Sequence, residues 1–179
     1  MLNLKSIFKL LILIFTSSIF FTIMNSCTDQ DMEYAYKQQT IAEKNKDLIK
    51  AFTNDFWNRH DMKAFDTYFS DDFKMHSTEG DRSRDEYKQI CQDYFIAFPD
   101  LIITTNDLIA EGDKVVQAWT SNATQEGEFM GISPTEKRVE IQGVGIFRIE
   151  DGRIAELWMS RDNLGLLQQL GTFGDDTKG

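Results

Sequence analysis

The spacing of apolar residues changes at Pro99, and this change constrains the fold more than any other feature of the chain. Before Pro99 the apolar side chains recur every three or four residues, which is typical of helices with one buried face. After it they alternate with polar residues, which is typical of half-buried strands. Proline itself ends a helix. The sequence therefore predicts an α+β architecture, in which helices cover one side of an antiparallel sheet.

Three helices are expected before Pro99. The first ends near Asn58, and a short second helix follows an N-cap at Asp61. The third is the clearest, because its apolar residues fall at helical spacing between a cap at Ser83 or Asp81 and the proline. Their apolar faces must be buried against the sheet.

The second half of the chain is expected to form four strands and a final helix. The pair Asp151-Gly152 predicts a tight hairpin turn between the last two strands. A short extended piece is also expected at 73–76, before the third helix. The predicted strands are 101–110, 114–125, 138–150 and 153–160, and the last helix covers 164–170.

The amino terminus carries a separate signal that ends at Cys27. Lys5 and Lys9 precede an apolar run from Leu10 to Met24, and Asn25-Ser26 then leads to the cysteine. Ser and Thr residues interrupt the run, which favours a cleavable signal over a membrane span. The pattern resembles a bacterial lipoprotein signal peptide, whose cysteine becomes the palmitate-bearing first residue of the mature protein. An uncleaved N-terminal anchor helix is the alternative.

These features divide the chain into four segments. We expect a signal peptide over 1–26, an acylated Cys27 with a polar linker over 27–40, a folded domain over 41–171 and a flexible tail over 172–179. Both interpretations of the amino terminus place the domain outside the cytoplasm. It would be held on a membrane of the bacterial cell envelope by its N-terminal lipid or anchor.

The amino-acid composition limits the classes of binding partner and the kinds of site that we expect. The net charge of −10 argues against binding to nucleic acid or to an anionic membrane surface. Fourteen Phe and three Trp predict a well-filled core or an aromatic-lined cavity. Cys91 falls on the apolar face of the third helix, where we expect a buried thiol rather than a nucleophile. The two histidines and two cysteines show no metal-ligand spacing.

Several segments resemble the SnoaL-like ester cyclase family, a group of polyketide cyclases. The resemblance covers residues 45–171, and its C-terminal pieces are the more specific ones. It is carried by Phe129 to Thr135, by Phe147 to Trp158, by Asp162 to Gly171, by Phe56-Trp57-Asn58 with Asp61, and by Phe73 with His76.

The resemblance implies a nuclear transport factor 2-like fold, in which a strongly curved sheet and three helices form a cone around a cavity. Cyclases of this family catalyse an intramolecular aldol step without a metal or an organic cofactor. A carboxylic side chain removes a proton next to a carbonyl group and later returns it. The implied ligand is a small, largely apolar carbonyl compound. Because family members commonly dimerise through the sheet, the resemblance also implies a homodimer.

Glu156 is the first candidate for the acid and base. Alternation along its strand predicts that Ile154, Glu156 and Trp158 share one face. A carboxylate between two apolar residues should be desolvated, which would raise its pKa toward the range useful for proton transfer. Glu156 also matches the acid of the family's Glu-x-Trp motif. The structural alternatives are an exposed charge or a salt bridge to Arg148.

Asp162 and His76 are the other catalytic candidates. The match of His76 to the family implies a place at the cavity rim, where an imidazole relays a proton or polarises a carbonyl. A histidine bonded to backbone at a strand end is the alternative. Asp162 would face the cavity mouth, or it would cap the last helix.

The remaining candidates would bind the substrate. Asn58 and Gln142 are neutral donors suited to an enolate oxygen. The alternative for Asn58 is a structural role at the end of a helix. Gln142 has the parity opposite to its apolar neighbours, and needs a bulge to reach the cavity. The aromatic wall or core candidates are Trp119, Trp158 and Phe129.

Four positions depart from polar residues that are common in the family. Ala118, Gln125, Gly145 and Leu157 stand where relatives often have Arg, His, Asp and His. These changes predict a more apolar cavity. They favour two alternatives to an enzyme: a non-catalytic module that binds an apolar ligand, and a structural envelope protein whose cavity is filled by side chains.

Overall fold

The computed structural model describes residues 29–77 and 80–172. The predicted signal peptide, Cys27 and nearly all of the predicted tail lie outside the described residues. The chain divides into two compact units, Met1–Gln39 and Thr40–Gly179. Across the described ranges, no helix combines the length and the hydropathy needed to cross a membrane.

The first described element, α1 (Asp29–Phe52), is an α-helix followed by a π-helical segment, Thr53–Asn58. The predicted end near Asn58 is confirmed, but the helix begins earlier than expected. Residues 29–40, which lack apolar periodicity and belong to the predicted polar linker, are helical. Periodicity reports a buried face, whereas these mostly exposed residues are good helix formers, and Asp29 and Asp31 suit the helix N-terminus.

The other helices before Pro99 follow their predicted caps. A 3₁₀ turn, Met62–Ala64, is capped by Asp61 and leads into α2 (Phe65–Tyr68). Ser83 caps α3 (Arg84–Ala97) in a reciprocal capping box with Glu86.

The sheet has six strands in the order β2-β1-β6-β5-β4-β3. The predicted α+β architecture is confirmed, and the four predicted strands pair antiparallel as expected; among the described strands, only the added β1–β6 pair is parallel. The extended piece expected at 73–76 is part of a longer strand that already begins at Phe69. The strands are β1 (Phe69–His76), β2 (Arg82–Ser83), β3 (Ile102–Glu111), β4 (Lys114–Thr124), β5 (Arg138–Glu150) and β6 (Arg153–Arg161), followed by α4 (Asn163–Leu170).

Two apolar clusters form the core of the domain. In the first, the ring of Phe52 contacts those of Phe56, Phe69 and Phe147 at centroid distances of 5.3 to 6.0 Å. The second lies among α3, β4, β5 and α4 and contains Trp119. The abundance of aromatic residues is therefore explained by both a packed core and the cavity described below, because members of both clusters line that cavity.

Cys91 and Gln125 are both fully buried. Burial raises the pKa of the Cys91 thiol, which confirms the prediction of an inert, buried cysteine. The amide of Gln125 fixes the β4–β5 loop. Its Nε2 donates to the carbonyl oxygens of Gly127 at 3.1 Å and Ile132 at 3.2 Å, and its Oε1 accepts from the Thr135 hydroxyl at 2.7 Å.

We expect Gln125→Glu to destabilise the domain by about 3 kcal/mol, because a carboxylate cannot donate to the loop carbonyls and its charge would be buried. Gln142→Glu is the matched control, since Gln142 is exposed, and it should change the free energy of unfolding by less than about 0.5 kcal/mol. Urea unfolding measures both variants. Equal effects at the two positions would contradict the role assigned to Gln125.

Candidate functional site: an aromatic cavity inside the sheet

A cavity of about 360 Å³ lies on the inner face of the sheet, beneath α3. Strand alternation decides which side chains reach it. On β4 the inward residues are Gln117, Trp119 and Ser121, and on β6 they are Met159 and Arg161. The cavity wall is therefore mostly apolar, with a few polar groups at fixed positions.

Gly143 gives the indole ring of Trp119 its place in the wall. The two residues are cross-strand partners in β4 and β5. A Cβ atom at position 143 would lie 2.2 Å from Cζ2 of Trp119 and 2.8 Å from the carbonyl oxygen of Ser160. Only glycine leaves room for the indole at this position, so the prediction that Trp119 is a wall or core residue is confirmed.

Gln117 is a buried polar group in the cavity wall. Its Nε2 donates to the hydroxyls of Thr53 at 2.9 Å and Thr105 at 2.7 Å. No described residue donates to its Oε1. Gln117 thus leaves one acceptor available to a ligand.

Arg161 brings a positive charge to the cavity. Its Nε donates to Oδ1 of Asn163 at 2.8 Å, and its guanidinium lies 4.9 Å from the centre of the Tyr94 ring. Burial raises the pKa of Tyr87 and of Tyr94, so both phenols stay neutral and can act only as hydrogen-bond donors or acceptors at neutral pH.

The described part of the cavity lining contains the guanidinium groups of Arg82 and Arg161, but no Asp, Glu or His. Among the residues that the structure describes, no three His, Cys, Asp or Glu side chains are grouped so as to hold a metal ion.

Glu156 does not line the cavity. Arg148 pairs with Glu156 while the next residue, Ile149, pairs with Ile154, so Ala155 is an extra residue that bulges out of register. The bulge reverses the parity of β6. Ile154 therefore faces the core, whereas Glu156 and Trp158 lie together on the outer face, so the prediction that all three share one face is wrong for Ile154.

On the outer face, Glu156 belongs to a group that we call the outer charge cluster: His76, Asp81, Arg148 and Glu156. Its Oε2 lies 2.6 Å from Nε2 of His76, and its Oε1 accepts from Nε of Arg148 at 2.5 Å. Nδ1 of His76 lies 2.9 Å from Oδ1 of Asp81. The imidazole also stacks on Trp158, with ring centres 4.6 Å apart. Neither Trp158 nor His76 lines the cavity.

The hydrogen bonds of the outer charge cluster shift the pKa values of His76 and Glu156 in opposite directions. The hydrogen bond with Glu156 raises the pKa of His76, against a smaller effect of burial, and Asp81 adds to the rise. Hydrogen bonds from His76 and then Arg148 lower the pKa of Glu156. The expected rise in the pKa of Glu156 is therefore wrong, and the alternative of a salt bridge to Arg148 is confirmed.

Four other candidates have structural positions outside the described cavity lining. The carboxylate of Asp162 caps α4 by accepting from the Gly165 N–H at 2.7 Å. Asn58 uses both ends of its amide on the backbone of Ile103, at 3.0 and 2.7 Å. Gln142 is exposed on the outer face, and Phe129 packs in the second core cluster.

Sequence reasoning missed Arg161 and Gln117. Gln117 has the same parity as Trp119, so alternation alone places it in the wall. Arg161 has the same parity as Leu157 and Met159, and counting from Leu157 would have placed it inside. Alternation along the whole of β6 does not predict this, because the bulge at Ala155 breaks the alternation two residues before Leu157.

Comparison with known proteins identifies the family of the chain and relatives with the same fold. A sequence model described as SnoaL-like polyketide cyclase matches residues 47–170. The chain belongs to the SnoaL-like polyketide cyclase family. Membership supports a cofactor-independent function of the cyclase or isomerase type, and family members bind small-molecule substrates. Among curated proteins, none matches this chain.

Solved structures show the same nuclear transport factor 2-like fold. AclR from Streptomyces galilaeus, named as a candidate hydroxylase, is 31% identical with a TM-score of 0.70, covering 75% of this chain and 89% of its own. TsrD from Streptomyces laurentii is 28% identical with a TM-score of 0.66, covering 73% and 97%. IdmH from Streptomyces antibioticus, named as a candidate polyketide cyclase, is 29% identical with a TM-score of 0.62, covering 71% and 98%.

This SnoaL-like chain has no side chain at the β5 position where the resemblance implies an acid. Gly145 occupies that position, on the inner face. A Cβ atom there would lie 2.9 Å from the Phe147 ring and 3.5 Å from Leu157. The phenyl ring thus takes the space that an inward carboxylate would need.

The outer charge cluster should make stability depend on pH. The raised pKa of His76 contributes stability below its unfolded value of about 6.5, and that contribution is lost as the pH rises through the folded pKa. The lowered pKa of Glu156 contributes stability above about 4.3, lost as the pH falls through the folded pKa. We expect Glu156→Gln to cost about 1 kcal/mol, with the largest difference from wild type at about pH 5 to 6.5.

Unfolding by urea over a pH series measures this prediction. Glu150→Gln is the control, because Glu150 pairs with Arg148 at 3.0 Å but does not contact His76. It should leave the pH profile unchanged. A difference between wild type and Glu156→Gln that stays constant over the whole pH series, above and below the window of about pH 5 to 6.5, would show that His76 and Glu156 are not coupled.

Proposed function

We propose that the protein binds a small, largely apolar carbonyl compound in the cavity and promotes a cofactor-independent reaction of the cyclase or isomerase type on it. The observation that carries the proposal is the cavity itself, an aromatic space of about 360 Å³ on the inner face of the family's fold. Its volume suits a molecule of a few fused or linked rings. Two similar proteins are named for different activities, a hydroxylase and a cyclase, so the fold alone does not select the reaction.

The proposed step is the loss of a proton from the carbon next to the carbonyl group. Because the described lining offers no carboxylate or imidazole, we assign the proton to water. The electron pair moves onto the carbonyl oxygen, where the neutral hydroxyl of Tyr94 in the wall donates to the enolate and stabilises it. Return of a proton from water to the same or another carbon completes the exchange or isomerisation. The catalytic assignment of Glu156, Asp162 and His76 has no part in this proposal.

The second candidate is a non-catalytic binding module. It is favoured by the same absence of a titrating base from the described lining and by the phenyl ring of Phe147 near Gly145. Binding and chemistry must therefore be measured separately. The homodimer implied by the resemblance stays a prediction.

Two substitutions on β4 test the site. Ala123 lines the cavity, whereas Ala118 lies on the outer face of the same strand. Ala123→Leu should weaken binding of 2-tetralone, a small ketone, roughly tenfold by filling the cavity. Ala118→Leu makes the same change outside and should leave binding intact. Equal effects of the two substitutions would rule out the cavity as the site.

The reaction is tested by proton NMR of 2-tetralone in D₂O. We expect the protein to accelerate exchange of the protons next to the carbonyl, and Ala123→Leu to reduce the acceleration in step with binding. Binding of 2-tetralone without accelerated exchange would contradict the proposal of an enzyme and support that of a non-catalytic binding module.

We also propose that Cys27 is lipidated and holds the domain outside the cytoplasm. In a bacterial host fed labelled palmitate, the full chain should carry label in the membrane fraction. Cys27→Ser should lose the label, whereas Cys91→Ser should keep it. An unlabelled, unprocessed chain that still sediments with membranes would instead indicate an uncleaved anchor.

A further inference from the structure

The described lining of the cavity includes a cation, although the chain as a whole is acidic. The chain carries a net charge of −10. The described lining nevertheless contains the guanidinium group of Arg161, and no described carboxylate lines the cavity beside it. Charges beside an apolar wall are screened less than charges in water, so a cation there attracts an anion strongly.

Arg161 is held in place but not neutralised. Asn163 accepts from its Nε, and the face of Tyr94 lies against its guanidinium. Among the described residues, no carboxylate forms an ion pair with it, and its two terminal nitrogens have no hydrogen-bond partner. Asp162, its neighbour in sequence, instead caps α4. Partly buried arginines are normally paired, so this guanidinium leaves two parallel donors for a ligand.

The remainder of the wall fits an apolar body. Trp119, Phe147 and Met159 contribute aromatic and thioether surface. Gln117 adds one acceptor, its Oε1, to which no described residue donates. The wall therefore offers two donors at a cation, a mostly apolar surface and one isolated acceptor.

We propose that the cavity selects an amphipathic organic anion, a molecule with a mainly apolar body and one carboxylate, and that Arg161 binds the carboxylate through two parallel N–H···O bonds. Gln117 accepts from a hydroxyl on the body. The carbonyl compound of the proposed function is then a keto acid. The inference rests on the proposed function in taking this cavity as the ligand site, but not on any reaction taking place there.

The test compares 2-naphthoate with 2-naphthamide, which have the same rings and nearly the same shape but differ in charge. Calorimetry on the purified full chain measures both affinities. The wild-type protein should bind the carboxylate at least about tenfold more tightly, as expected for charge-assisted hydrogen bonds. Added salt should weaken the carboxylate alone.

Substitutions assign the preference to one residue. Arg161→Gln should weaken 2-naphthoate about tenfold or more and change 2-naphthamide by less than about threefold. Arg161→Lys should keep part of the preference, since it retains the charge but not the planar fork. Arg148→Gln is the matched control, because it removes the same charge from the outer face, and it should leave the ratio of the two affinities unchanged.

Three results would overturn the inference: equal affinities in the wild-type protein, an equal loss of both probes in Arg161→Gln, or the same loss of preference in Arg148→Gln. If the protein accelerates exchange of the 2-tetralone protons but shows no preference for 2-naphthoate, the proposal of an anionic ligand is wrong and the proposed function stands. If the protein prefers 2-naphthoate but does not accelerate exchange, the proposal of an anionic ligand stands and the proposed reaction is wrong.

Discussion

The bulge at Ala155 is the constraint on which the assignment of the site depends. By adding one residue to β6 opposite the Arg148–Ile149 step, it turns Glu156 outward and makes the following inward positions odd-numbered. The inward series then ends at Arg161, at the end of the strand. Without the bulge, a carboxylate would face the cavity and the guanidinium would face solvent. A single local irregularity in the ladder thus decides whether β6 presents a carboxylate or a guanidinium group to the cavity.

The two faces of the sheet consequently have different chemistry. On the outer face, Glu156 is fully occupied by His76 and Arg148, which favour its ionised form and tie β1, β5 and β6 together. On the inner face, polar groups are few and separated by aromatic surface, and the available cation has no carboxylate partner among the described residues. Stability and ligand recognition therefore depend on separate groups, which makes the effects of substitutions on each face separable.

Much of the fold could be predicted from the sequence, because hydrophobic periodicity is a local signal. β5 and α3 lie almost where their apolar spacing and caps placed them. The parallel pairing of β1 was not predictable in this way, since partner choice depends on contacts distant in sequence. The site was harder still. Trp119 follows simple alternation, but Glu156 was assigned to the wrong face because a bulge leaves no mark in the apolar pattern. Asp162 illustrates a different limit, since one sequence position suits both a helix cap and a cavity mouth.

The most direct test of the central claim, that ligands meet the inner rather than the outer face, uses the chain's own tryptophans. The protein is labelled with 5-fluorotryptophan, its ¹⁹F resonances are assigned by single Trp→Phe replacements, and 2-naphthoate is titrated in. Trp119 lines the cavity, and Trp158 stacks on His76 outside. We expect the Trp119 resonance to shift to saturation while that of Trp158 stays fixed. A shift of Trp158 with Trp119 unchanged would place the ligand beside Glu156 on the outer face and contradict the account.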